Sequence, residues 1–381
     1  MKSFKQYRWF AALFFFLLTA VCLLEHTKIR TPKEHFPVML DAACRTEKAF
    51  EAIKKERLIR NLPLNPFDDP NETGIIGESY TEITTTLGSL ESKRSAANPN
   101  TAAMVVDMLT RCGISEGDPV AVNLSSSFPG LNTAVLCALD AMKLNGIIIN
   151  SVGASTYGAN LPDFTWLDME HLLLEQGMIT NHSRWFSLGG SDDIGKEMPE
   201  EITSAIIKRI SGYGLEFLYY ENLSENLAAR KTIYRNEVNA VSEISKNLPA
   251  CFINVGGNLL SFGEGDDMVS SQNGILLPQK NSAGTQNKKT ASGGLIQYYL
   301  SENVPVIHLL NLKTLLPAYG LPYDPSPVPA AGNGLIYTEW HYNRGLALFF
   351  LAGALIILKK PYTAGPTGKC RCKHSLCKKD F

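Results

Sequence analysis

The sequence lacks any strong charge of one sign. Lysine plus arginine number 36 and aspartate plus glutamate 37, a formal net charge of −1. That excludes a general nucleic-acid binder, which needs a basic face to meet phosphates. Nucleotide fingerprints are missing as well. No G-x-G-x-x-G follows a strand, G-x-x-x-x-G-K-[ST] occurs nowhere, and no cofactor is expected. No internal repeat recurs at solenoid or propeller spacing. The cysteines form no disulfide framework, because Cys44, Cys112, Cys137 and Cys251 stand singly in apolar segments, as buried free thiols do. Cys370, Cys372, His374 and Cys377 crowd the C-terminal tail, but zinc sites draw on two separated ligand pairs around a small fold. No metal is expected, and the tail reads as solvated or lipid-modified.

What is present begins with two apolar runs, one near each end. From Trp9 to Leu24, "WFAALFFFLLTAVCLL" carries no charge and follows Lys2, Lys5 and Arg8. As a helix it would span roughly 24 Å, just short of a bilayer core. A cleaved signal peptide competes, but no A-x-A site follows, which favours an uncleaved anchor. From Gly345 to Leu358, "GLALFFLAGALIIL" is apolar on every face and ends at Lys359 and Lys360. A buried core helix competes at that length. The basic tail (Lys369, Arg371, Lys373, Lys378, Lys379) reads as a positive-inside signal and places both termini in the cytoplasm. The expected organisation is an N-terminal anchor at 1–27 and a stalk helix and loop at 28–78. An extracytoplasmic α/β domain at 79–330, a linker and second transmembrane helix at 331–360, and a cytoplasmic tail at 361–381 follow.

The middle alternates strands and helices. Val38–Arg60 reads as an amphipathic helix leading into the Pro/Asn/Asp-rich loop "LPLNPFDDPNETG". "NPNTAAMVVDMLTRCG" reads as a helix capped by Asn98 with Pro99 at its first position, and "PGLNTAVLCALDAMKLNG" as one starting at Pro129. "PVAVNLS", "IIINSVGAS", "ACFINVGGN" and "VPVIHLL" are nearly continuous apolar strands. Such strands between amphipathic helices predict a doubly wound α/β domain with a mainly parallel sheet covered on both faces. A proline-rich run from Leu321 to Pro329 ends it.

In such sheets ligands gather beyond the carboxyl ends of the strands. Three of those ends are small and polar: Ser125, Ser126 and Ser127 leading to Asn132; "SVGASTYGAN" with Ser155 and Asn160; and "NVGGN" with Asn254, Gly256 and Gly257. Converging, they would suit carboxylates or phosphates, with Lys93 and Arg94 as cationic helpers. The plainer alternatives are that Ser127 only caps the next helix and that Lys93 and Arg94 are solvated. A serine nucleophile (Ser126 or Ser127) with His308, His171 or His182 as base is a further alternative. The glycines of a G-x-S-x-G elbow are missing, however. Asp168 and Glu170 fit the first turn of a helix. Asp192 with Asp193, and Asp266 with Asp267, fit solvated loops.

Taken together, "ITTTLGSLESKRSAANPNTAAMVVDML", "LSSSFPGLNTAVLCALDAM", "SVGASTYGANLPDFTWLDME" and "INVGGN" resemble the poly-gamma-glutamate system protein family. The resemblance is closest from Thr84 to Met169. It implies a membrane-anchored accessory role in making or exporting bacterial poly-γ-glutamate. The implied partners are the synthase's ligase and membrane subunits and the anionic polymer itself. It assigns no reaction and no catalytic residues. The open choices are a polymer- or synthase-binding protein, a serine-dependent hydrolase or transferase of γ-glutamyl chains, and a non-catalytic scaffold.

Overall fold

The structure is a computed structural model that describes residues 2–241, 247–263, 272–278 and 293–359. The chain divides into two units, one built from both ends and one from Pro32–Thr338. The tail cluster Cys370, Cys372, His374 and Cys377, like Asp266 and Asp267, lies outside the described residues.

The first unit, seen at 2–31 and 339–359, pairs α1 (Lys2–Thr27) with a C-terminal helix (Arg344–Lys359). Phe16 meets Phe350 edge-on with ring centroids 5.3 Å apart. Phe10, Phe14, Phe15 and Val21 on one helix, and Leu348, Phe349 and Ile356 on the other, stay exposed. Within α1, Phe10–Thr27 is long and apolar enough to cross a membrane, as an anchor or a signal sequence would be. The C-terminal helix is equally apolar but shorter than a usual span. Among the described residues one helix meets the length of a membrane span, not one at each end.

The second unit is organised by a seven-stranded sheet. Its strands are β1 (Pro119–Ser125), β2 (Asn145–Ser151), β3 (Ser183–Ser187), β4 (Glu216–Phe217), β5 (Cys251–Val255), β6 (Gly274–Leu276) and β7 (Val306–Leu309). In space they run β6-β7-β5-β1-β2-β3-β4, all parallel except β6, which runs antiparallel to β7. The chain winds outward from β1 one way through β2, β3 and β4. It then returns to β5 on the other side. The doubly wound expectation holds, and the topological switch lies between β1 and β5.

Side-chain alternation along the strands divides the core in two. Val120, Val122, Leu124, Ile148, Ile253 and Val255 face α2 (Phe36–Ile59), α4 (Asn100–Arg111) and α5 (Pro129–Ala141), with α3 (Leu90–Ala96) between them in sequence. Ala121, Ile147, Ile149 and Phe252 join the other cluster, with α8 (Leu223–Val241) and α10 (Leu295–Ser301). The remaining helices are α6 (Trp166–Glu175), α7 (Glu200–Ser211), α9 (Leu259–Phe262) and α11 (Leu312–Ala318); the C-terminal helix of the first unit is α12.

Several boundaries move from the sequence expectation. The supposed stalk helix is α2, and it belongs to the body. It buries Met39, Ala42, Ala43, Ala49, Phe50 and Ile53 against α4 and α5. Its alanines permit the close helix approach that a stalk would not need. The body also does not end at 330. Asn100 Nδ2 donates to the carbonyls of Pro329 (3.0 Å) and Ala330 (3.1 Å), and Tyr337 Oη donates to Asn100 Oδ1 (2.6 Å). Helix α4 starts at Asn100 rather than Pro99, and Asn98 Oδ1 accepts the Asn100 N–H at 3.0 Å. Cys137 and Cys251 are buried free thiols as expected, whereas Cys44 and Cys112 are free but only half-buried.

Candidate functional site at the sheet switch point

The serine turn after β1 is where the switch falls. Ser125, Ser126 and Ser127 are all buried, and their hydroxyls are committed inward. Ser126 Oγ donates to the Ser151 carbonyl (2.8 Å) at the end of β2. Ser125 Oγ accepts the Ser127 N–H (3.2 Å) and donates to Ser127 Oγ (3.0 Å). Ser127 is not a helix cap: Phe128 holds that position in α5 and no side chain caps it. Asn132, one turn into α5, donates from Nδ2 to the Ser125 carbonyl (2.9 Å) and so locks the turn.

The second strand end, after β2, folds back over this turn. Ser155 N–H donates to Ser127 Oγ (3.0 Å), and Ala159 N–H donates to the Ser126 carbonyl (2.8 Å). Gly158 makes that closeness feasible, since a Cβ there would lie 3.0 Å from Ser127 Cα. Asn160 turns away and ties Glu78 and Thr84 together. It is structural.

The third strand end, after β5, completes the switch. Gly256 lays its main chain against the Ser125 side chain. The N–H groups of Gly257 and Asn258 have no partner among the described residues. Asn254 pairs in register with Asn123 on one side and His308 on the other. Its Oδ1 accepts Asn123 Nδ2 (2.9 Å), and its Nδ2 lies 3.0 Å from His308 Nδ1. His308 is thus a strand residue inside the sheet. Burial lowers its pKa to about 4, so the ring is neutral at physiological pH. It forms no hydrogen bond to Ser125, Ser126 or Ser127. His171 stacks on Tyr213 and His182 bonds the Thr180 carbonyl, both away from the serines. The serine–histidine pairing weighed from the sequence is therefore not assembled.

The cationic helpers have other duties. Arg94 forms a two-pronged pair with Asp324, Nε to Oδ1 at 2.7 Å and Nη2 to Oδ2 at 2.6 Å, joining α3 to the proline-rich segment. Lys93 is buried, and its Nζ donates to Ser155 Oγ (2.6 Å) and to the Ser127 carbonyl, with the Phe128 ring centroid 3.7 Å away. No acidic side chain pairs with it among the described residues. Burial brings its pKa down to about 7. Neither residue is a solvated contact for a polymer.

Sequence reasoning missed a buried cluster beneath the switch. Arg230 of α8 donates to Asp193 Oδ2 (2.8 Å), Ser187 Oγ (2.6 Å) and Asn123 Oδ1 (2.9 Å). Asp193, expected to be solvated, is 3% exposed. The available signal was Asn123, a polar residue inside an otherwise apolar strand, which demands buried partners. At the opposite, amino-terminal edge of β3, Glu170 accepts the Ser183 N–H (2.7 Å), and burial raises its carboxyl to about 7. His171, His182 and Tyr213 line a small cavity beside it. Among the described residues no group of three His, Cys, Asp or Glu side chains is placed to hold a metal.

The chain matches no known family model, no curated protein and no solved structure. The site must therefore speak through its own chemistry. Several buried polar atoms there have no partner among the described residues: Asn132 Oδ1, both amide atoms of Asn150, Asn258 Nδ2 and His308 Nε2. Each such orphan costs about 1–3 kcal/mol. Such a concentration at one end of a sheet is what a polar ligand site leaves behind.

Proposed function

We propose that this protein is a membrane-anchored accessory factor of poly-γ-glutamate synthesis or export, and that its switch point receives a carboxylate-bearing chain or a segment of the synthase. The pathway rests on the sequence blocks between Thr84 and Met169 that resemble the poly-gamma-glutamate system family. The site reading is carried by the orphaned buried polar atoms at the strand ends; beside them stand the N–H groups of exposed Gly257 and half-buried Asn258, which have no partner among the described residues. Main-chain N–H groups suit carboxylates because they offer partial positive charge without a mobile counter-ion. The exposed apolar flanks of α1 and α12 support a two-helix anchor. The reading that both termini are cytoplasmic and the α/β body outside rests on the basic residues of the C-terminal tail.

The test is retention of the full chain, in detergent, on immobilised poly-γ-glutamate. Asn258→Asp, which keeps the Oδ1 that caps α9 and removes only the orphaned Nδ2 donor, is expected to weaken retention about 5- to 10-fold, the worth of about 1–1.4 kcal/mol. Retention that is unchanged by Asn258→Asp, or no retention at all, would remove the polymer from this site. A reporter fused after Phe381 should be active only inside the cell; activity outside would reverse the topology.

A further inference from the structure

Lys93 is a buried cation that has no carboxylate partner among the described residues. A lysine placed among apolar neighbours loses its hydration, and such residues are rare unless paired. Here the amine meets one hydroxyl, one carbonyl and one aromatic face: Ser155 Oγ at 2.6 Å, the Ser127 carbonyl and the Phe128 ring. The Ser127 carbonyl and the ring fix the amine's direction, so that Nζ is aimed at Ser155 Oγ. The space beside Lys93, lined by Ile76, Ala96, Phe128, Gly130 and Tyr157, is too narrow for a water molecule and does not include Ser155 in its lining, so the pair is closed in this state.

We propose that Ser155 is an acyl-accepting nucleophile and Lys93 its general base, making this corner of the switch point a serine–lysine site for amide or ester substrates. The pairing supplies what the histidines do not: a base in hydrogen-bond contact with a serine hydroxyl. Neutral Lys93 takes the proton of Ser155 Oγ as that oxygen bonds to the substrate's carbonyl carbon. The bond from that carbon to the leaving amine or alcohol breaks, and Lys93 returns the proton to the departing nitrogen or oxygen. An ester on Ser155 remains. Water then loses a proton to Lys93 and bonds to the acyl carbon. The ester bond breaks, Ser155 Oγ regains the proton, and a carboxylic acid leaves. Burial of Lys93 supports the base role, because it keeps about half of the amine neutral near pH 7.

Access is governed by the turn from Thr86 to Ser89. Gly88 closes directly over the pair: a Cβ there would lie 2.8 Å from Ser155 Oγ and 3.2 Å from Lys93 Cε. Thr156 holds the turn, accepting the Gly88 N–H at Oγ1 (2.7 Å) and donating to the Gly88 carbonyl (2.8 Å). Leu87, beside it, is 87% exposed. The turn is therefore the part that must lift for an acyl group to enter.

That the acyl group is a γ-glutamyl one rests on the preceding functional reading; the serine–lysine chemistry does not. The experiment treats the full chain in detergent with a fluorophosphonate probe and maps the adduct by mass spectrometry. The expected result is one adduct, on Ser155. Its rate should rise about tenfold from pH 6 to pH 8, as a base titrating near 7 requires. Ser155→Ala should abolish it, and Lys93→Met should slow it at least 100-fold and flatten the pH profile. Mapping on the unaltered chain decides the matter even where a variant unfolds. No adduct at pH 8, an adduct on another serine, or an unchanged rate in Lys93→Met overturns the proposal. A parallel incubation with poly-γ-glutamate follows chain length. Shortening that depends on Ser155 identifies the substrate class, whereas labelling without shortening keeps the pair and removes the polymer.

Discussion

Arg230 and Lys93 are both buried near the carboxyl ends of the central strands, and the fold treats them in opposite ways. Arg230 is surrounded: Asp193, Ser187 and Asn123 take its guanidinium hydrogens, and Asp193 balances its charge. Lys93 has acceptors but, among the described residues, no opposite charge. A compensated cation joins elements, here α8 to β1 and β3. An uncompensated one lowers stability while ionised, and it persists where its easily lost proton is useful. The comparison separates a structural group from a reactive one without reference to any annotation.

The largest expected effect tests the structural side. Arg230→Met strands the Asp193 carboxylate in the interior and should cost about 3–5 kcal/mol of unfolding free energy. Replacing Asp193 as well, in Arg230→Met/Asp193→Leu, should recover most of that loss, because a well-packed apolar pair can replace a buried ion pair. Denaturant unfolding of the two variants checks this. If the double variant is no better than the single one, the hydrogen bonds to Ser187 and Asn123, not the charge, hold the region.

Lys93 should behave in the opposite sense and with a pH signature. Its pKa is lowered in the folded state, to about 7 from an ordinary value of 10.5. Between those values the unfolded chain binds more protons, so this residue makes stability rise with pH across that window and leaves its full cost in place below pH 7. Lys93→Met removes the cost but leaves the Ser127 carbonyl without its donor. It should therefore gain about 1–2 kcal/mol at pH 6 and turn into a small loss by pH 10. Equal destabilisation at both pH values would mean that Lys93 is a structural strut like Arg230.

The contrast also explains which parts were legible in the sequence. The sheet was, because β1, β2, β5 and β7 are continuous apolar runs separated by helices with clear start and stop residues. The three polar strand ends were legible for the same reason. Small residues after an apolar strand mark where backbone meets ligand. Helix α2 was legible as a helix, read at Val38–Arg60 and found at Phe36–Ile59, but its place in the body was not, since its buried stripe is rich in alanine, which carries close packing rather than strong hydrophobic contrast. Lys93, Asp193 and Arg230 were illegible for a different reason. Each looks solvated locally, and each is buried by chain more than 30 residues away in sequence, as the Lys93–Ser155, Ser187–Arg230 and Asp193–Arg230 contacts show. Local pattern cannot report a charge that tertiary contacts take out of water.

The smallest expected effect concerns Arg94, next to Lys93 in sequence and unlike it in role. It meets Asp324 through two parallel hydrogen bonds with both side chains partly exposed, 16% and 27%. Solvent screens such a pair, and the two-pronged geometry recovers part of the loss, so Asp324→Ala should cost about 1 kcal/mol or less. The cost should shrink further in high salt, as it should not for Arg230. Because Asp324 N–H also donates to Ser95 Oγ (2.7 Å), the proline-rich segment keeps a second tie to α3. Asp324→Ala should therefore leave fluorophosphonate labelling at Ser155 within about twofold of wild type, less than a 0.5 kcal/mol change in barrier. A larger fall would mean that this segment positions α3, and with it the Lys93 amine, for the reaction.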